Sequence, residues 1–209
     1  MFINKYEIEQ NQKSDETVLI VKIRGIVVRH VKLDPDIKIY DGCLLGDNII
    51  LVGVRYEDNG NEQPIIVRLN SSFQLEVYVS VDGFEDCRLS SVKVDRDTIY
   101  AIGNCNSRYG IEYCGIIIQF DEFCNVINFT KHAVGKYSVF TTIDSIVDSE
   151  EYIYGQKQQL KTITVSGEFF SSEYHSGKFK ASFDGRLSIM HRASYDTSES
   201  DFLKECITR

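Results

Sequence analysis

Two stretches of eight residues decide the fold. Residues 46–53 read GDNIILVG and residues 96–103 read RDTIYAIG, so each has a polar turn, a run of apolar residues and a closing glycine. Each continues through a polar loop into a second apolar strand, which ends at a turn residue, Asn70 in the first case and Asp121 in the second. The closing glycines lie 50 residues apart and the turn residues 51 apart, which indicates a repeat of that length.

The same pattern predicts further copies toward the C-terminus. Residues 148–155 read DSEEYIYG, and their glycine lies 52 residues after Gly103. A shorter loop leads from there into an apolar strand at 162–170. The parts of a predicted fourth unit are the strand at 179–183, the turn Asp184-Gly185 and the strand at 187–190.

The rest of the chain also favours strands. Residues 17–23 and 26–31 are rich in Val and Ile, and Arg24-Gly25 between them predicts a tight hairpin turn. Helical spacing is rare, and the one predicted helix covers 198–207 with Ser198 as its N-cap. We therefore expect an all-β fold.

Each repeat describes a small antiparallel meander, which buries both of its faces only by stacking on its neighbours. Residues 97–103 contain an Asp, a strand with Ile-Tyr and a closing Gly, and the apolar strand that follows ends in Asp or Asn. This pattern resembles a β-propeller blade of the kelch-like class. This resemblance implies a small or partial β-propeller of about four antiparallel blades. It carries over the architecture only, because the chain lacks Trp and the paired glycines of that class. A β-sandwich is the alternative.

The repeat length also predicts how the chain is divided. We expect one domain over residues 1–209, with repeat units near 41–86, 87–135 and 136–176. The segments 1–40 and 177–209 would complete a blade or cap an open edge. Both a closed four-bladed ring and an open partial propeller agree with this division.

Composition excludes several classes of protein. The chain has 23 Lys+Arg against 31 Asp+Glu and a net charge of -8, which argues against partners such as nucleic acid or anionic membranes. It has no apolar run of about 18 residues, so no membrane span is predicted. The N-terminus lacks the apolar stretch of a secretory signal, and we expect a cytoplasmic protein.

The cysteines give no metal or redox motif. None of the six forms a C-x-x-C pair, and in a reducing compartment they are most simply buried thiols. Cys105 and Cys114 could face each other across a hairpin, which makes them the one candidate disulfide.

No catalytic motif is present either. The four histidines (30, 132, 175 and 191) are too far apart in sequence for a short metal-binding motif, and no serine has a G-x-S-x-G context. We therefore expect a non-enzymatic protein without a metal or cofactor. A small propeller hydrolase is an alternative, in which carboxylates at the centre of the propeller act as general acid and base.

The charge is unevenly distributed. Residues 41–86 carry nine acidic side chains and only Arg55 and Arg68, a net charge of -7, against +1 for 1–40 and -2 for 87–209. The two acidic loops at 57–62 and 82–86 are either a solvated face or a docking surface for a basic protein. In the second reading, an exposed Phe84 packs into the partner as an apolar anchor. The predicted partner-binding residues are Tyr56, Glu57, Asp58, Glu62, Asp82, Phe84, Glu85 and Asp86.

In size, charge and expected compartment the sequence resembles the immunity proteins that neutralise bacterial toxins. That resemblance implies an acidic inhibitor, monomeric or in a heterodimer, that occludes a basic toxin such as a nuclease. The alternative is a glycan-binding or sensory propeller, in which Tyr109 and Tyr113 stack on sugar rings.

Overall fold

The computed structural model describes residues 1–81, 83–84, 86–106, 113–132, 137–153, 156–172 and 175–194. Every regular element in these ranges is a β-strand, and none is a helix. The first eight strands are β1 (Phe2–Ile3), β2 (Tyr6–Gln12), β3 (Thr17–Ile23), β4 (Ile26–Leu33), β5 (Ile37–Leu45), β6 (Asn48–Tyr56), β7 (Glu62–Leu69) and β8 (Leu75–Ser80). The other eight are β9 (Cys87–Asp95), β10 (Thr98–Asn106), β11 (Tyr113–Phe120), β12 (Val126–His132), β13 (Tyr137–Ile153), β14 (Gln156–Ser172), β15 (His175–Asp184) and β16 (Ile189–Ser194).

The strands form four consecutive antiparallel meanders. The sheets β1–β4, β5–β8, β9–β12 and β13–β16 each pair in sequence order, and a single parallel bridge between Tyr113 and Tyr137 links the last two. The predicted all-β fold is confirmed. The described part of the chain contains no helix that is long and apolar enough to cross a membrane.

The sheets are arranged as propeller blades. The first strands of successive sheets contact one another, β1 with β5, β5 with β9, and β9 with β13, so they line the inside of the arc. The second strands β6 and β10 are almost entirely buried, whereas the fourth strands β4, β8 and β12 are largely exposed at the outside.

Three hydrophobic cores hold the sheets together, each between two neighbours. Core 1–2, between the first and second sheets, includes Ile8, Leu19, Val21, Ile37, Leu51 and Val67. Core 2–3 includes Ile50, Val52, Ile66, Leu89, Ile116 and Phe120. Core 3–4 includes Tyr100, Ile102, Ile117, Phe140, Phe179 and Phe183. No core among the described residues joins the fourth sheet to the first, and these residues form a partial β-propeller.

The outer face of each end sheet carries paired polar side chains. On the fourth sheet, Asp144 accepts a hydrogen bond from Ser166 at 2.7 Å and lies 3.2 Å from the Lys180 ammonium. On the first sheet, Lys22 pairs with Glu9. Terminal units of repeat proteins need such faces because no further unit covers them. The two end segments of the predicted division have different places in the fold. Residues 2–33 form a sheet of their own, whereas β15 and β16 belong to the fourth sheet.

The turn between the third and fourth strands is the same in three sheets. Its first residue, Asn70, Asp121 or Asp184, accepts hydrogen bonds from the backbone N–H groups two and four residues later, at 2.8–2.9 Å. Its fourth residue has a left-handed backbone, with φ between 57° at Phe73 and 67° at Cys124. The predicted repeat of turn residues is therefore confirmed, and the turn at Asp184 extends it to the fourth sheet.

The Asp121 turn makes stability depend on pH. Burial raises the pKa of this carboxyl, and hydrogen bonds from Asn125 and Phe123 outweigh burial, so the pKa lies below its ordinary value. A carboxyl with a lowered pKa stabilises the fold above its unfolded pKa, and this contribution is lost as pH falls through the folded pKa.

We expect Asp121→Asn to fold normally, because Asn70 already forms the same turn in the second sheet. Its free energy of unfolding should fall less steeply than that of the wild type when urea titrations are repeated below about pH 4. Parallel pH profiles for the two proteins would contradict this role of the Asp121 carboxylate.

A glycine in the second strand faces a β-bulge in the first strand. The backbone bulges near Gly53, Gly103 and Gly167, where a Cβ atom would overlap the carbonyl oxygen of Lys38, Arg88 or Val139, respectively. The predicted glycines at 53 and 103 thus have equivalent positions, and close approach of the first strand explains why glycine is needed there.

The third copy was misplaced by the sequence period. Gly155 lies outside the described residues, and the position equivalent to Gly103 is taken by Gly167 in β14. Residues 148–153 belong to β13, the first strand of the sheet, rather than to the second. The reason is that β13 and β14 are each 17 residues long, whereas β9 and β10 have nine residues each.

One local prediction has a clear outcome and another does not. Arg24 and Gly25 connect β3 to β4 with φ values of 52° and 77°, which confirms the tight hairpin turn with its two positive φ angles. The predicted helix at 198–207 lies outside the described residues.

The prediction that all cysteines are thiols is wrong for two of them. Cys105 faces Cys114 across the hairpin as expected, but it forms its disulfide with Cys87 on the other side, with a Cα–Cα distance of 4.0 Å. Asn106 N–H donates to the Asp86 carbonyl, so the neighbouring Cys87–Cys105 pair is a non-hydrogen-bonded pair. Such pairs bring side chains closest together.

Candidate acidic docking surface

The two predicted acidic loops lie at the same end of the second sheet. The β6–β7 loop covers 57–61 and the β8–β9 connection covers 81–86; the Val81 N–H donates to the Pro64 carbonyl at 2.9 Å, which places that connection beside β7. We call this end, including the β4–β5 connection at 34–36, the acidic end. Asp82 and Glu85 belong to the predicted set but lie outside the described residues.

The β6–β7 loop presents Glu57 and Asp58 on a well-defined backbone. The Glu57 N–H donates to the Asn61 carbonyl at 2.9 Å, and the Gly60 N–H donates back to the Glu57 carbonyl at 2.8 Å. Asp58 is exposed and Glu57 is half-buried. Neither carboxylate has an ion-pair partner in the described part of the chain, so both negative charges are available to a ligand.

Glu62 and Asp86 are used within the fold. The Glu62 carboxylate lies 2.8 Å from Nε of Arg88, which joins the second sheet to the third. Asp86 accepts a hydrogen bond from the Asn106 side chain at 2.7 Å. These two predicted site residues therefore position the strands below the loops, and the charge of Glu62 is partly neutralised by Arg88.

The prediction that Phe84 is exposed is wrong. Only 5% of its surface is accessible, its ring packs edge-to-face on Phe129 with centroids 4.8 Å apart, and Lys131 Nζ lies 5.4 Å from the ring centroid. The β8–β9 connection runs from the outermost strand of one sheet to the innermost strand of the next. It therefore crosses core 2–3, and its single aromatic side chain turns inward.

Tyr56 belongs to an aromatic pair that the sequence analysis missed. Its hydroxyl lies 3.3 Å from the Tyr40 hydroxyl, and the Lys38 ammonium lies 5.2 Å from the Tyr40 ring centroid. The hydrogen bond with Tyr40, and then partial burial, raise the pKa of Tyr56 above its ordinary value. Tyr40 precedes the predicted repeat boundary at 41, and no motif in the sequence connects it to Tyr56.

The acidic end carries more negative than positive charge. Asp34 is exposed without an ion pair among the described residues, and Asp36 is held by Arg55, whose Nε donates to it at 2.7 Å. Together with the four described residues of the predicted set that are acidic, six carboxylates lie at this end with four cations. The carboxylates are Asp34, Asp36, Glu57, Asp58, Glu62 and Asp86, and the cations are Lys38, Arg55, Arg88 and Lys131.

The carboxylates of the inner strands make structural hydrogen bonds. Asp41 accepts from the Val92 N–H at 2.9 Å, which links β5 to β9. The Asp144 side chain is held by Ser166 and Lys180, and its carbonyl accepts from Lys93 Nζ at 2.7 Å. These bonds tie successive sheets together at the inside of the arc.

The two histidines whose side chains are described lie on different sheets. His30 is exposed on β4, and the His132 ring packs against Phe183 with centroids 5.8 Å apart. The described residues contain no group of His, Cys, Asp or Glu that could hold a metal ion. The side chains of His175, His191 and Tyr113, and all of Tyr109, lie outside the described residues.

Comparison with known proteins finds distant structural neighbours. No protein family and no curated protein matches the sequence. A neuraminidase-like protein from A/bat/Guatemala/164/2009 is similar in structure, with 12% identity, a TM-score of 0.45 and coverage of 85% of this chain and 44% of that protein. BamB from Moraxella catarrhalis has 9% identity, a TM-score of 0.24 and coverage of 92% and 74%. This chain spans less than half of the neuraminidase-like protein.

Proposed function

We propose that this chain is a non-enzymatic protein-binding module that docks a basic protein on its acidic end. The observation that carries the proposal is the β6–β7 loop, which holds Glu57 and Asp58 in a hydrogen-bonded turn, with no ion-pair partner for either among the residues that the structure describes. The Tyr40–Tyr56 pair at the base of this loop adds aromatic surface and hydroxyl groups. Tyrosine side chains of this kind are frequent anchors of protein interfaces.

The surface suits fast capture of a positively charged partner. Uncompensated carboxylates at one end of a molecule attract a basic protein over distances of about 10 Å and orient it before contact. A rigid loop loses little conformational entropy on binding. Glu62, paired with Arg88, and Asp86, bonded to Asn106, would keep the strands below the loop in place while the exposed charges bind.

A more specific proposal gives the class of the partner. A nuclease toxin must be basic to hold RNA or DNA, and an acidic inhibitor can cover that substrate-binding surface. We propose that the chain is a cytoplasmic immunity protein of a bacterial toxin system, a monomer that forms a heterodimer with its toxin. Its support is charge complementarity, and a toxin gene beside its own gene would identify the partner to test.

Charge reversal at the acidic end tests this function. We expect Glu57→Lys with Asp58→Lys to slow association with the basic toxin domain at least about tenfold at low salt, because steering acts on the association rate. The difference between variant and wild type should shrink as salt rises. Surface plasmon resonance over a salt series measures both effects.

A matched control is available at the opposite end. Asp47 and Asp97 lie in the β5–β6 and β9–β10 turns, and both are exposed without ion pairs in the described structure. Asp47→Lys with Asp97→Lys changes the net charge equally but should leave the association rate close to that of the wild type. If both double variants slow association to the same degree, or neither does, the acidic end is not the docking surface.

A further inference from the structure

Three cysteines form one row across the third sheet. Cys105 on β10 lies opposite Cys87 on β9 and also opposite Cys114 on β11. All three side chains are on the face that packs into core 2–3. Cys87 and Cys105 form the disulfide, while Cys114 is a thiol whose S–H donates to the Cys105 carbonyl at 3.8 Å.

We propose that this row is a disulfide-exchange site, in which Cys105 changes its partner between Cys87 and Cys114. The Cys114 thiolate attacks the Cys105 sulfur, and a Cys105–Cys114 bond forms as the Cys87–Cys105 bond breaks. The electron pair of the broken bond goes to the Cys87 sulfur, which takes up a proton from solvent in place of the one that Cys114 lost. The exchange needs no oxidant or reductant, because one disulfide and one thiol are present before and after it.

Cys105 can form a disulfide with either Cys87 or Cys114 while the strand pairing stays the same. The Cys87–Cys105 pair is non-hydrogen-bonded, so the N–H and C=O groups of Cys105 point away from β9. In an antiparallel sheet these groups then bond to the strand on the other side, which is β11. Cys105 and Cys114 are therefore a hydrogen-bonded pair, with an expected Cα–Cα distance of about 5.5 Å. This distance lies within the range that disulfides span. Neither strand has to shift its register for the exchange.

Cys114 is the thiol that lies next to the disulfide. It faces Cys105 from β11 and is partly buried, whereas Cys87 and Cys105 have no accessible surface. Burial raises the pKa of Cys43 to about 12 and that of Cys124 to about 11. Exchange requires a thiolate beside the disulfide, and Cys114 occupies that position.

The exchange would move a covalent link between two loops. The Cys87–Cys105 bond fixes the end of the β8–β9 connection to β10. The Cys105–Cys114 bond would instead close the base of the β10–β11 hairpin and release Cys87. The site rests on the cysteine geometry alone and stands whether or not the acidic end binds a basic protein.

Peptide mapping tests the proposal directly. Trypsin cuts after Arg68, Arg88, Arg96, Arg108 and Lys131, which places Cys87, Cys105 and Cys114 on the separate peptides 69–88, 97–108 and 109–131. Cys124 shares the last peptide, so the work uses a Cys124→Ser background. The folded protein is incubated at about pH 6 and about pH 8.5, quenched with acid, alkylated with N-ethylmaleimide, digested and analysed by mass spectrometry.

We expect two linked pairs, 69–88 with 97–108 and 97–108 with 109–131, with the second at least about a tenth as abundant as the first and forming faster at the higher pH. Adding Cys114→Ser should leave only the first pair. In Cys87→Ser, oxidised glutathione should produce the Cys105–Cys114 bond in protein whose circular dichroism spectrum is unchanged. The proposal is overturned if the second pair is absent from the folded protein at both pH values but appears in urea at the higher pH. Failure of folded Cys87→Ser to form the bond would overturn it as well.

Discussion

Gly103→Ala is expected to lower the free energy of unfolding by about 3 kcal/mol or more, and at that size it can prevent folding altogether. A Cβ atom at this position would overlap the Arg88 carbonyl oxygen and lie 2.9 Å from the Leu89 Cα atom. Both are backbone atoms fixed by the pairing of β9 with β10 and by the bulge at Ser90, so no side chain can move aside. Urea unfolding followed by circular dichroism measures the effect.

Gly185→Ala is the matched control for this prediction. A Cβ atom at Gly185 would lie 3.3 Å from the Lys161 Cβ atom, at the surface of the β15–β16 turn. A neighbour at that distance needs to shift only slightly, so we expect a change in stability of less than about 1 kcal/mol. Equal unfolding midpoints for the two variants would show that the approach of β9 to β10 at Gly103 does not require glycine.

Phe140→Ala is expected to cost about 3–5 kcal/mol and to loosen the fourth sheet before the others. The ring is fully buried in core 3–4, with centroids 5.6 Å from Phe179 and 6.0 Å from Phe183, and it also covers Gly115. In a stack of sheets that contact only their neighbours, a defect at one interface uncouples the unit beyond it. Hydrogen exchange should therefore speed up most in β13–β15.

The control for Phe140 is an exposed phenylalanine. Phe123 keeps 61% of its surface accessible, and Phe123→Ala should change stability by no more than about 0.5 kcal/mol. Exchange that accelerates equally in β2, β6 and β14 of Phe140→Ala would contradict the stepwise release of the fourth sheet and indicate a single cooperative unit.

The sequence predicted the architecture where the repeat keeps its length. In the second and third sheets, Gly53 and Gly103 face equivalent bulges, and Asn70 and Asp121 form equivalent turns. The fourth sheet kept its turn at Asp184, but its first hairpin is longer, so a fixed period selected Gly155 in place of Gly167. The first sheet lacks both signals, because β3 and β4 are joined by the two-residue turn at Arg24 and Gly25.

The candidate site was predicted in part, for reasons that can be read from individual residues. Glu57 and Asp58 were found because polar residues in a loop between two apolar strands have little to pack against. The exposure of Phe84 was wrong because its place above core 2–3 depends on the path of the chain between sheets. The Cys87–Cys105 bond was missed for a different reason. Cys105 faces Cys114 across the β10–β11 hairpin and Cys87 across the β9–β10 hairpin, and only the pair nearer in sequence was considered.

The arc of sheets has a consequence for how the protein is made. Within the described residues, the strands of each sheet pair in sequence order, and each core needs only two consecutive sheets. Each sheet can therefore form as its own segment leaves the ribosome and dock on the sheet before it, with no wait for a distant strand. The direction of synthesis and the direction of assembly would be the same, and exposed apolar surface would be limited to one growing end.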